Sequence, residues 1–347
     1  MITCSREESW GRIVYDSNAD EFEAHVSDVS VPLVVTRPLS VGCLVTGRCN
    51  LRCDFCYGNV EALPNVELDA SSWRMLFKRL RSWGLMRVDL SGGEPTMHRD
   101  LAEIARAAVG EELQVVISTN GMVLKKGPSG FPGVRWHVSL DSGIPEIHER
   151  SRLLPVLAPS RNSLARSSQF ITQCLDAGQM VRVLTCIGKH NMDALFALGE
   201  HLALLGVQDW NISRILRAGR AQSDYTGKWE IADEFVLDQI RDLRAALPFV
   251  RIRYSNRTDQ NGYFLLVLPD GMLATQYTDE RDKIALGHLL NMTLQDLQGH
   301  PNFDLNEHGR KWLASALEWQ PDPVLPAREI GLRTAGAPLR EMHESTA

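Results

Sequence analysis

From about Leu39 the sequence alternates short apolar runs with amphipathic stretches, and this alternation restricts the fold more than any other feature. A short apolar run followed by a helical period reads as one parallel β/α unit. Such runs fall at 41–45, 86–90, 115–118, 134–140, 181–187 and 210–215. Helical spacing falls at 70–83, where Trp73, Leu76, Leu80 and Trp83 recur and Asp69 or Ser71 can cap the first turn. It returns at 101–108, 161–177 and 193–205, the last stopped by Gly206. Six such units over 39–245 are too few for the eight of a closed barrel, so the sequence predicts an α/β fold, a partial (β/α)6 TIM-like barrel.

The flanks read differently. Residues 1–38 predict a hairpin or cap, with a strand at 11–16 and a turn or brief helix at 21–25. Beyond 246 the pattern changes to strands at 250–254 and 264–268, the second closed by the turn Pro269-Asp270-Gly271. A small C-terminal α+β region over 246–319 follows, then a proline-bearing tail at 320–347 that is loose or wraps the surface.

With 44% hydrophobic and 23% charged residues the chain has the composition of a soluble globular protein. It shows no apolar run long enough to cross a bilayer and no secretory layout at its start, so a cytoplasmic location is expected, with no membrane partner. A net charge of −6 makes nucleic acid an improbable partner. Three of the seven cysteines crowd into Cys49, Cys53 and Cys56, which in a reducing compartment favours a metal site over disulfides.

The spacing C-x3-C-x2-C, on the loop after the first barrel strand, can ligate three irons of a cubic iron–sulfur cluster. The alternative is zinc, which needs four ligands; Cys43 and His98 are conceivable fourth donors but not at zinc-ribbon spacing. Further chemistry-bearing residues close the later strands, on the rim where parallel barrels place their sites. Ser91-Gly92-Gly93-Glu94-Pro95 follows the second strand: its glycines permit close backbone approach, and Glu94 can accept from an ammonium group, although Gly-Gly turns are common. Ser118-Thr119-Asn120-Gly121 closes the third strand and, taken alone, reads more readily as an ordinary turn. Ser139-Leu140-Asp141 closes the fourth; Arg152, Asn191 and Arg214 fall in later loops or strand ends, where solvated polarity is the plain alternative.

Together these stretches resemble the radical S-adenosylmethionine (SAM) enzymes: Cys49 to Gly58 (CNLRCDFCYG) resembles their cluster signature, residues 92–95 their GGEP motif and residues 139–141 a ribose-facing SLD segment. The resemblance implies one [4Fe-4S] cluster on Cys49, Cys53 and Cys56, whose open iron takes the amino and carboxylate groups of SAM. It implies SAM contacts from Phe55, Tyr57, Gly92, Gly93, Glu94 and Pro95, then from Ser118, Asn120, Ser139, Asp141, Arg152 and Arg214. A low-potential donor such as flavodoxin or ferredoxin would supply the electron.

Gly219-Arg220-Ala221 and the Pro269–Gly271 turn resemble the branch with a C-terminal SPASM domain, which acts mostly on peptides. That domain holds auxiliary clusters through cysteines after the turn; here Ala274, Thr275 and Gln276 stand there, and no cysteine follows Cys186. The expectation is a radical SAM oxidoreductase or maturase with a single cluster, acting on a peptide or protein side chain. A nucleotide or small metabolite is the second substrate class, and a non-catalytic metal-binding interaction protein the alternative outside enzymes.

Overall fold

The computed structural model describes residues 4–122, 127–152, 162–256, 261–278, 281–314 and 333–334. Strands β1 (Cys4–Glu8), β2 (Gly11–Asp16) and β3 (Glu21–Val26) form an antiparallel meander. The turn or brief helix expected at 21–25 is therefore a strand. Phe22 and Val26 are buried and Tyr15 pairs with Phe22, so cross-strand packing overrides the helix preference of Glu and Ala.

The barrel strands follow: β4 (Ser40–Thr46), β5 (Arg87–Gly92), β6 (Gln114–Thr119), β7 (Val134–Ser139), β8 (Val181–Ile187) and β9 (Asp209–Arg214). They are parallel neighbours in chain order, as the apolar runs predicted. β4 is buried throughout, as a strand covered on both faces must be. The connecting helices are α1 (Ala70–Ser82), α2 (Leu101–Gly110), α3 (Pro145–Ser151), α4 (Ser163–Asp176) and α5 (Leu195–Leu205). Asp69 caps α1 by accepting from the Ser72 amide at 2.8 Å, and the helix buries Trp73, Leu76, Phe77 and Leu80 against the sheet. Gly206, at φ 80°, closes α5 in the left-handed conformation expected of it.

After α6 (Tyr225–Lys228) and α7 (Asp233–Ala246), the strands expected in the second region join the same sheet. β10 (Arg251–Ser255) adds in parallel to β9, while β11 (Asn261–Val267) adds in parallel to the opposite edge, beside β4. β12 (Met272–Tyr277) and β13 (Lys283–His288) continue antiparallel. The result is one ten-stranded sheet ending in β10 and β13, an open rather than closed barrel. Helices α8 (Leu294–Gln298) and α9 (Leu305–Ala314) follow, and Trp312 of α9 meets Phe22 edge-on. Of the tail, Arg333–Thr334 pairs in parallel with β3 and the remainder lies outside the described residues.

The β2–β3 turn enters the N-terminal mouth of the barrel. Asp20, only 8% exposed and at φ 54°, accepts from Arg87 Nε of β5 (2.9 Å), His137 Nε2 of β7 (2.8 Å) and Arg182 Nη1 of β8 (2.9 Å), and from the Tyr15 hydroxyl. Arg135 donates to the Ser17 and Asn18 carbonyls, while Arg182 and Arg253 donate to that of Ala19. Burial alone would raise the Asp20 carboxyl, but Arg87 and Arg182 outweigh it and hold it well below the carboxylate range. Burial keeps His137 below the ordinary histidine value, so a neutral ring donates Nε2–H to Asp20.

Candidate active site

The C-terminal rim carries the cysteine loop, held on three sides. The turn after β5 fixes its start: the Gly93 amide donates to Thr46 O at 2.8 Å and the Glu94 amide to Arg48 O at 2.7 Å. A Cβ at Gly92 (φ 137°) would sit 2.3 Å from Thr46 O, and one at Gly93 2.2 Å from Arg48 O. Both glycines are thus required by the backbone leading into Cys49.

Glu94 is buried at 1% exposure. Its Oε1 accepts from Thr96 N, the Thr96 hydroxyl and the Thr119 hydroxyl, and its Oε2 from Asn120 N at 2.8 Å. Among the described residues no cation pairs with it, and burial raises its pKa. Pro95 opens the short 3-10 turn Pro95–Met97 that Glu94 caps. Asn120 Nδ2 then reaches the cysteine loop, donating to Asn50 Oδ1 at 2.8 Å.

Phe55, 7% exposed, stacks on His190 (centroids 5.7 Å, 28°), meets Trp229 edge-on, and lies under the Arg152 guanidinium at 5.5 Å. Arg152 Nε donates to Asp141 Oδ2 at 2.5 Å, and Asp141 Oδ1 accepts from Cys186 N at 3.0 Å. Burial works to raise the Asp141 carboxyl, but Arg152 holds it below its ordinary value. Asn191 ties the same corner by donating to the carbonyls of Asp141 and Cys186.

The remaining residues singled out in the sequence stand apart from these bonds. Ser118 donates to Asp89 of β5, Ser139 is half-buried at the end of β7, and Tyr57 is 41% exposed. Arg214 is engaged by Asp233, which also accepts from Tyr254 and Asn256. Sequence reasoning missed the brace made by Asn50, which lies inside the cysteine signature, and missed His190 and Cys186, which carry no motif, and the full role of Arg220. The last was signalled by the glycine before it: Arg220 donates to Cys53 O at 2.7 Å and Glu61 at 2.6 Å.

Burial pushes the Cys49 thiol up to about 11 and the Cys53 thiol up to about 12. Among the described residues no three His, Cys, Asp or Glu side chains converge at metal-ligating geometry; the three thiols share one loop without meeting at a point. The donor chemistry fits an iron–sulfur cluster: Cys49, Cys53 and Cys56 are three half-buried soft donors in one loop. The fit extends to SAM, because a buried carboxylate without a cation suits an ammonium group.

Residues 43–193 match the family model described as Radical SAM superfamily. This segment is a radical SAM domain. The superfamily is one of enzymes that use a [4Fe-4S] cluster and SAM, as the resemblance of residues 49–58 implied. The chain is 37% identical over 122 residues to a probable GTP 3',8-cyclase of Methanopyrus kandleri, covering 33% of this chain and 39% of that one. It is 28% identical over 178 residues to a PqqA peptide cyclase of Methylobacterium nodulans, covering 50% and 46%. It thus spans half or less of the length of these relatives. Among solved structures, Streptococcus suis SuiB bound to its precursor peptide SuiA superposes with a TM-score of 0.62 at 12% identity, over 78% of this chain and 66% of that one. At that identity the likeness speaks for the fold alone. No helix among the described residues is long and apolar enough to cross a membrane.

Proposed function

We propose that this chain is a radical SAM enzyme whose single cluster is held by Cys49, Cys53 and Cys56, and that its substrate is a peptide or protein side chain. When bound, the cluster and SAM supply a 5′-deoxyadenosyl radical that takes a hydrogen atom from the substrate. The observation that carries the reading is Glu94: a buried carboxylate without a cation partner among the described residues, one turn from the cysteine loop and bonded to the strand end that reaches it.

The residues on the rim divide the work. Glu94 Oε2, with one bond made, keeps acceptor capacity for the SAM ammonium, while Gly92 and Gly93 allow that turn to close on the loop. Phe55 and His190 form an apolar wall that excludes water, and Arg152 is locked by Asp141 at its edge. Positioning of this kind lets the barrel select which hydrogen is presented.

A single cluster is supported by Ala274, Thr275 and Gln276, which stand after the Pro269–Gly271 turn where the resemblance would place auxiliary-cluster cysteines. A peptide substrate is supported by the likeness to a peptide cyclase and to a fold solved with a precursor peptide. A nucleotide substrate is the second reading, favoured by the 37% identity to the probable GTP cyclase over a third of the chain. We place the protein in the cytoplasm, with a flavodoxin or ferredoxin as donor. Anaerobic reconstitution tests the core: iron–sulfur absorption and 5′-deoxyadenosine formation under dithionite are expected in the native chain, and both should vanish in Cys53→Ala. If the native chain gives neither, the enzyme reading is wrong. Turnover with candidate peptides and with GTP then separates the substrate classes by which one changes mass.

A further inference from the structure

The Gly219-Arg220-Ala221 stretch has so far only a place, not a job. It forms the 3-10 turn Gly219–Gln222 after β9 and lies directly on the cysteine loop. Gly219 sits at φ 57°, and a Cβ there would lie 2.4 Å from Cys56 O. The Arg220 amide donates to Cys56 O at 3.0 Å and its Nη1 to Cys53 O at 2.7 Å. Ala221 is fully buried in the cluster that contains Phe55. One residue therefore grips the carbonyls of two of the three cysteines.

The guanidinium is also chemically incomplete. Nη2 is paired to Glu61, a side chain 54% exposed whose charge is screened by solvent. Nε is buried and, among the described residues, has no acceptor. A fixed cation with a spare N–H donor thus stands against the Cys53–Cys56 turn, its residue bonded to the carbonyls of both cysteines. An iron–sulfur cluster gains negative charge on reduction, and fixed positive charge and N–H donors at its sulfurs favour that reduced form.

We propose that Arg220 is a positioning residue that sets the cluster's reduction potential, holding the Cys53–Cys56 turn and keeping positive charge against it. The proposal rests on the cluster assignment made above. Its removal makes the cluster harder to reduce, so an enzyme lacking it is starved of electrons at a donor potential that serves the native chain.

The test is a redox titration of the reconstituted full-length protein followed by electron paramagnetic resonance, with iron content and melting temperature measured alongside. Arg220→Gln is expected to lower the ratio of reduced to oxidised cluster about tenfold at fixed potential, a midpoint shift of about 59 mV for one electron. Arg220→Lys keeps the charge but loses the fork and should fall between. Arg241→Gln, which removes an exposed cation paired with Asp238 on α7, should leave the midpoint unchanged. A native midpoint in a loaded Arg220→Gln protein overturns the proposal, even if that protein melts early, because a purely structural role would move stability and not potential. Should the Gln variant fail to retain its cluster, a Lys variant at the native midpoint overturns it and a lowered one supports it. Absence of a cluster in the native chain would instead refute the assignment on which the proposal depends.

Discussion

Asp20→Asn is the most exacting test of how the barrel base is built. The substitution keeps shape and removes one charge from a carboxylate that meets Arg87, Arg182 and His137 within 2.9 Å. An amide can still accept at its oxygen, but its NH2 group faces donors where Oδ2 now accepts from both His137 and Arg182. Breaking a buried ion pair by removing one partner costs about 3–5 kcal/mol. Unfolding entropy of about 2.1 cal/mol/K per residue over 347 residues gives about 0.7 kcal/mol/K. The melting temperature should therefore fall by about 4–7 °C, measured by circular dichroism or calorimetry at neutral pH. The sign with pH is fixed as well. The Asp20 carboxyl is depressed in the fold, so its stabilisation is present above the unfolded carboxylate range and is lost as acid drives pH toward the folded value. The variant should then lose its deficit relative to the native chain in strong acid. A loss below about 1 °C at neutral pH, no larger than for the exposed pair Arg241–Asp238, would refute the reasoning.

Other outcomes follow from the same geometry. His308 accepts from Leu39 N and donates to Tyr263 O, and burial holds it down to about 4, so the native chain should lose on the order of 3 kcal/mol as pH falls from about 6.5 to 4, and His308→Gln should flatten that slope in denaturant titrations. Gly93→Ala forces Arg48 O away from a Cβ 2.2 Å distant and should cost about 1–3 kcal/mol and most SAM binding, whereas Gly110→Ala, with nothing within 4 Å, should cost neither. Glu94→Gln keeps volume and removes charge; SAM affinity by equilibrium dialysis should fall about tenfold to hundredfold, and unchanged affinity would show that the ammonium binds elsewhere.

The barrel was legible because strands buried on both faces must read as unbroken apolar runs, as in residues 41–45 and 181–187. The cysteine loop and the glycine turn were legible because their chemistry admits few residue types. The β3 strand was not, since Glu21, Glu23 and His25 are polar, Glu21 turning to Arg253, and only pairing with β2 reveals Phe22 as a core residue. Nor was the base network: Arg87, His137 and Arg182 look like ordinary polar interruptions within strands until Asp20 arrives from a distant turn. His190 was equally silent, because a single side chain that braces a loop leaves no pattern in the sequence.

The pairing of β11 with β4 has a consequence for how the molecule comes into being. β4 delivers the cysteine loop, yet one of its two neighbours, reached through Gly42 with Leu266 and Cys43 with Val267, lies far along the chain from it. Contacts so distant along the chain form slowly, since the loop between them must close before they stabilise anything. Asp282 and Lys283, which bond Asn59 and the Gly58 carbonyl behind the cysteines, are as distant in sequence. The cysteine loop is thus braced by bonds that span 223 and 225 positions of sequence, so its final shape waits on contacts that are among the slowest to form.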